Sequence, residues 1–172
     1  WIEANKEKYE IIEKKLLLYE EMYLGKFAAG SKQDKLRLNI ANNGQSSSLL
    51  DLGTHKKHYP EISYLSVQEV DVIPIDEWIE EKCINRSQYN FVNIDIQGYE
   101  LEALKGMIQQ LNYIDYLYLE VNFNQVYKNC PVLNDIDVFL KKYNFRRVGM
   151  YRTTKGWGDA IYTKKFIFFS KI

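Results

Sequence analysis

The chain has 172 residues, 46% apolar and 27% charged, with 23 basic and 23 acidic side chains and no net charge. That is the composition of one ordinary globular domain with a core of its own. It argues against a general nucleic-acid binder, which needs a basic field to meet phosphates, and leaves room for a local basic patch. No stretch is long and apolar enough to be a membrane-spanning helix, and no signal peptide is visible.

Taken in order, Trp1-Ile2-Glu3 reads as the end of a strand closed by an acid. Asn5 is suited to cap a helix reaching about residue 20, with Tyr9, Ile12, Leu16 and Tyr19 on one face. In nucleotide-binding α/β folds an acid at such a strand end accepts hydrogen bonds from ribose hydroxyls. Glu3 fits that place, and a surface glutamate without a role is the alternative. Residues 22–29 read as a strand leading into Gly30 and Ser31. Small residues there let an adenine ring lie close to the backbone, which makes Gly30 and Ser31 candidates for its rim. Residues 35–41 alternate, with Leu36, Leu38 and Ile40 on one side, as in a half-buried strand outside the central sheet. The segment 42–48 is a polar loop of turn formers, either a solvated linker or a lip over a site. His55 and His58 follow at i, i+3 without a third ligand, so no metal site is assigned. One of the two is a candidate general base, with a surface histidine as the alternative.

Residues 66–73 predict another strand, and Pro74 opens a helix with Asp76 and Glu77 in its first turn and Ile75, Trp78 and Ile79 on its apolar face. Residues 113–121 form an apolar, aromatic-rich run that reads as a buried parallel strand ending in Glu120-Val121-Asn122. Asn134 is the expected cap of a helix to about residue 143, and Asn144 its left-handed stop. Residues 145–151 and 159–164 predict an antiparallel hairpin around Gly156. The apolar Phe166-Ile167-Phe168-Phe169 either continues the last strand or packs on the core or on a partner, a second copy of the chain included. Cys83 and Cys130 lack zinc spacing and read as free, buried thiols of a cytoplasmic protein. There is neither a P-loop nor a G-x-S-x-G elbow.

The stretch that organises the chain runs from Phe91 to Gly106. An apolar run, 91–96, reads as a buried strand that Asp95 interrupts near its carboxyl end. Gly98 permits a tight turn. A helix then carries Leu101, Leu104, Ile108 and Leu111 on one face, with Glu100 in its first turn. Asp95 either faces a ligand at the strand's carboxyl end or merely caps the helix.

The sequence Asn93-Ile94-Asp95-Ile96-Gln97-Gly98-Tyr99-Glu100-Leu101-Glu102-Ala103-Leu104-Lys105-Gly106 resembles the signature of FkbM-type methyltransferases. Asn93 and Gln97 stand where that signature usually has Lys and Glu. The resemblance extends to Ile2-Glu3-Ala4-Asn5, to the segment 43–49 and to Trp157-Gly158-Asp159-Ala160. It implies a Rossmann-like class I methyltransferase domain, mostly parallel with a C-terminal antiparallel hairpin, that uses S-adenosylmethionine to methylate a hydroxyl of a glycan or secondary metabolite. Under it Glu3, Gly30, Ser31, Asp95 and Gln97 would meet the cofactor, and Gln45, Ser46 and Ser47 the acceptor. Asp95 and His58 would be the catalytic residues. It further implies a first strand and a glycine-rich turn upstream of Trp1, lying between the Glu3 strand and the 91–96 strand. Without them, residues 1–172 are expected neither to fold stably nor to bind the cofactor well. A non-catalytic module for a glycan or a protein stays open through Gln97, as does a nucleotide-sugar-binding enzyme on the same scaffold.

Overall fold

The computed structural model describes residues 1–19 and 22–165, and the apolar segment 166–169 lies outside them. The described chain is a mixed α/β structure with two sheets. The first contains β1 (Ala28–Ala29), β2 (Asp34–Ala41) and β3 (Tyr64–Ile73), in the order β1-β3-β2. β1 runs parallel to β3, and β2 antiparallel. Ile2 pairs in parallel with Gly25 beside this sheet, so only part of the 22–29 segment is strand. The second contains β4 (Phe91–Ile94), β5 (Tyr116–Asn122), β6 (Arg146–Arg152) and β7 (Trp157–Thr163), in the order β4-β5-β7-β6. β4 and β5 are parallel, and β7 runs antiparallel to both β5 and β6. Among the described residues β4 pairs with β5 alone; its other edge and residues 1–3 are not paired with each other.

Helices cover the second sheet. α4 (Glu100–Lys105), α5 (Ile108–Leu111) and α6 (Leu133–Lys141) bring Leu104, Leu111 and Leu140 onto Leu117, Leu119 and Ala160, and none of these six retains solvent access. Burying each leucine contributes about 1.5–3 kcal/mol, so this cluster is the main stabilising body of the domain. α3 (Ile75–Glu81) builds a smaller core, in which Trp78 meets Phe27 edge-on with ring centroids 5.6 Å apart.

Several local details differ from the sequence expectations. The helix expected through Leu111 breaks into α4 and α5 at Gly106 and Met107, and Ile108 is exposed while Met107 takes the buried place. Glycine is required at the break, because a Cβ at Gly106 would run into the carbonyl oxygen of Gly30. Asp76 then caps the new helix start, accepting from the N–H groups of Gln109 (2.7 Å) and Gln110 (2.9 Å). The half-buried Arg86 holds that same carboxylate at 2.5 Å. α1 (Tyr9–Leu16) follows a 3-10 turn capped by Asn5, and Tyr19 lies exposed beyond its end. Asn134 lies inside α6 rather than capping it; Asp135 does that work, accepting from the N–H of Val132 at 2.9 Å. Asn144 takes the left-handed stop (φ 64°). Cys130 is buried, but Cys83 is exposed, and both are free thiols. No helix among the described residues is long and apolar enough to cross a membrane.

Candidate active site

A cleft of about 1400 Å³ opens between the two sheets, beside the free edge of β4. Its lining includes Glu3, Ala28 and Ala29 on one wall and Asp95, Gln97 and Glu120 on the other, with Gln45, Ser46 and Ser47 from the polar loop. Asp95 and Gln97 follow the carboxyl end of β4, and Glu120 lies near the carboxyl end of β5. Parallel strands place polar residues of this kind where an α/β sheet meets its ligands.

The turn after β4 is tightly built. Gly98 has φ 99°, and a Cβ there would crowd Cys130, Leu50 and Tyr127. Gln97 also has positive φ, 58°, a conformation costly for a residue with a side chain. Glu100, fully buried, accepts from the N–H groups of Ile96 (3.1 Å) and Gly98 (3.0 Å). Asp95 therefore does not cap α4; the N-cap position is Tyr99, and the amides of the turn go to Glu100.

Freed from capping, Asp95 accepts from the side-chain Nε2 of Gln97 at 2.5 Å. The same Nε2 donates to Glu120 at 3.2 Å, and the hydroxyl of Tyr127 donates to Gln97 Oε1 at 2.5 Å. Burial, with the charges of Asp95 and Glu100 behind it, pushes the Glu120 carboxyl up to about 9. Burial likewise pushes Glu100 up to about 7, against the pull of its backbone donors. Asp95 keeps access to the cleft; desolvation by the cleft walls raises its carboxyl, and the Gln97 hydrogen bond opposes that rise. At neutral pH Glu120 thus holds a proton, while Asp95 is the more open acid of the pair.

Glu3 accepts from the N–H of Asn5 at 2.8 Å and faces Lys8 at 3.7 Å. Gly30 and Ser31 do not line the cleft. Gly30 is pressed against Val72 and Gly106, and the Ser31 hydroxyl donates to Glu102 at 2.5 Å. Ala28 and Ala29 supply the small wall instead. In the polar loop, Asn43 accepts from the N–H groups of Gln45 and Ser46 and donates to the Ser46 hydroxyl, so the loop is braced from within. Ser48 ties it to the motif turn, its hydroxyl donating to the carbonyl of Gln97 at 2.7 Å.

α2 (His55–His58) separates the two histidines. His58 is exposed and does not line the cleft, whereas His55 does. The His55 ring packs at a tilt against Tyr59 (centroids 4.9 Å apart) and Tyr127 (5.5 Å), and its buried Nδ1 has no partner among the described residues. Burial lowers its pKa, since an imidazolium there would bury an unpaired N–H. His55 is accordingly a neutral wall rather than a ready proton acceptor. Glu120, His55, Tyr127 and Asp159 also line the cleft and were not assigned from sequence. Glu120 carried the same signal as Asp95, an acid at the carboxyl end of a parallel strand. Tyr127, in a loop after β5, carried none.

The sequence model for the FkbM methyltransferase domain matches residues 1–147, which contain the motif turn, Glu3 and Glu120. The chain belongs to the FkbM methyltransferase family. The match ends before β7, so Trp157 and Asp159 lie beyond it. Comparison with curated proteins and with solved structures gives no match. Membership makes this a methyltransferase domain and makes the cleft between the sheets its candidate active site.

Proposed function

We propose that the cleft binds S-adenosylmethionine and that the domain methylates a hydroxyl oxygen of a glycan or secondary-metabolite acceptor. The observation that carries this reading is the placement of Glu3 on one wall of a single cleft and of the Asp95–Gln97–Glu120 set on the other. The residues fit the cofactor: Glu3 offers carboxylate oxygens to hydroxyls, Ala28 and Ala29 leave a flat apolar wall, and the acids at the strand ends suit a cationic centre. The order β4-β5-β7-β6 with an antiparallel β7 supports a class I methyltransferase sheet.

S-adenosylmethionine supplies a methyl group already activated on a sulfonium, so the chain mainly has to position and desolvate. Asp95 receives the proton of the acceptor hydroxyl on its carboxylate as the oxygen becomes methylated. Gln97 keeps that carboxylate in place. Gln45, Ser46 and Ser47, at the lip, offer amide and hydroxyl partners to a polyhydroxylated acceptor.

The test is calorimetric titration of S-adenosylmethionine into the full-length protein, followed by a transfer assay on hydroxylated acceptors. Glu3→Ala is expected to weaken cofactor binding by about 1.5–3 kcal/mol, the range for hydrogen bonds to a charged group. An unchanged dissociation constant in a folded variant would remove Glu3 from the site. Cofactor binding without any transfer would favour a non-catalytic module, and binding of a sugar nucleotide with indifference to S-adenosylmethionine would replace the reading altogether.

A further inference from the structure

Gln97 is held from four directions at once. Ser48 grips its carbonyl oxygen, Tyr127 donates to its Oε1, and its Nε2 donates to Asp95 and to Glu120. These bonds offset the cost of its left-handed backbone. They also fix which way the amide points. An ionised carboxylate can only accept, so the nitrogen must face Asp95 and the oxygen must face Tyr127. One amide therefore bridges Asp95 and the protonated Glu120.

We propose that Tyr127 and Glu120 are positioning residues for Asp95, acting through the Gln97 amide, and that this amide keeps Asp95 available as a proton acceptor in the neutral range. The effect on turnover rests on the reading of Asp95 given above; the effect on Asp95 itself does not. The charged and titratable groups that bear on Asp95 come from every side: Lys8 from the N-terminal segment, Glu100 from α4, Tyr118 and Glu120 from β5 and Asp159 from β7. Lys8 alone among them favours the ionised form, so the amide donor is the nearest counterweight to the acids. Tyr127, buried behind Gln97, holds that donor in register.

The direction of each perturbation follows. Tyr127→Phe keeps the ring and removes the donor that orients the amide, so Asp95 loses support for its charge and titrates at higher pH. Gln97→Glu replaces the donor by a third acid and moves Asp95 further the same way. Both are read in the full-length protein by carboxyl carbon NMR across a pH series, without cofactor or acceptor. In the transfer assay the acid limb of the rate profile should move upward with the Asp95 titration. The rate below the midpoint should fall about tenfold and the alkaline plateau by a smaller factor. An Asp95 titration unchanged in both variants would overturn the proposal, as would an equal loss of rate at all pH values, the mark of a packing defect. Should Tyr127→Phe fail to fold, Gln97→Glu, at a partly exposed turn residue, decides alone. Shifted titrations in a protein that neither binds S-adenosylmethionine nor transfers a methyl group would uphold the positioning and overturn the methyltransferase role of this cleft.

Discussion

Asp95→Asn is expected to lower methyl transfer by about 10²–10⁴-fold at neutral pH, the usual contribution of a positioned general base. The fold should be left as it is. Asparagine has the shape of aspartate and keeps a carbonyl oxygen that can accept from Gln97 Nε2, so the motif turn retains its brace. What it cannot do is bind a proton. The variant also removes a negative charge from beside Glu120 and Asp159, so thermal stability should be equal or slightly higher. Circular dichroism and a melting curve provide the control. Parental activity in the folded variant would show that the acceptor's proton leaves by another route.

Glu120→Gln should raise stability by about 3 kcal/mol at pH 7, and its effect should depend on pH. Glu120 titrates near 9 in the folded protein, against an ordinary 4.5. Between those values the unfolded chain has released the proton and the folded chain still holds it. Stability therefore falls as pH rises through that window and levels off near 9. Glu100 adds a decline of the same sign that ends near 7. Glutamine offers the same acceptor oxygen to Gln97 without a proton to lose, so the decline above pH 7 should nearly vanish in the variant. Denaturant unfolding at pH 5, 7 and 9 reads this directly. An equal increment at all three values, or a loss of stability at pH 9, would mean that Glu120 is ionised within the fold.

Elements whose character is local were legible in the sequence. The alternation of Leu36, Leu38 and Ile40 gave β2, the apolar run before Asn122 gave the buried β5, and Asn144 marked the end of α6, whereas the strand expected buried over 91–96 stops at Ile94 and leaves Phe91 and Asn93 exposed. Features set by distant parts of the chain were not. The periodicity of Leu104, Ile108 and Leu111 continues through Gly106, and the close approach of the Gly30 backbone, brought there by the first sheet, leaves no mark in the local sequence beyond a glycine. Nothing in a four-residue helix of Lys and His says which histidine turns inward; packing against the rings of Tyr59 and Tyr127 decides for His55. For the candidate site, the acids at strand ends were visible because strand polarity alone places them. The small wall was visible only as a stretch, and the residues of it that line the cleft are Ala28 and Ala29, directly ahead of Gly30 and Ser31. Tyr127 was invisible because its meaning lies in a bond to a residue thirty positions away.

The free edge of β4 has a signature in isotope exchange. In a parallel pair, successive residues direct their N–H and C=O groups to opposite sides, so alternate residues of Phe91–Ile94 bond to β5 and the others face the cleft. Amides locked onto β5 should exchange with deuterium only on large-scale opening, and their neighbours should exchange quickly wherever water fills the cleft. Four consecutive amides thus form a ruler for occupancy. An alternating pattern of protection reports an open edge, and uniform protection reports that a further strand has been laid along it.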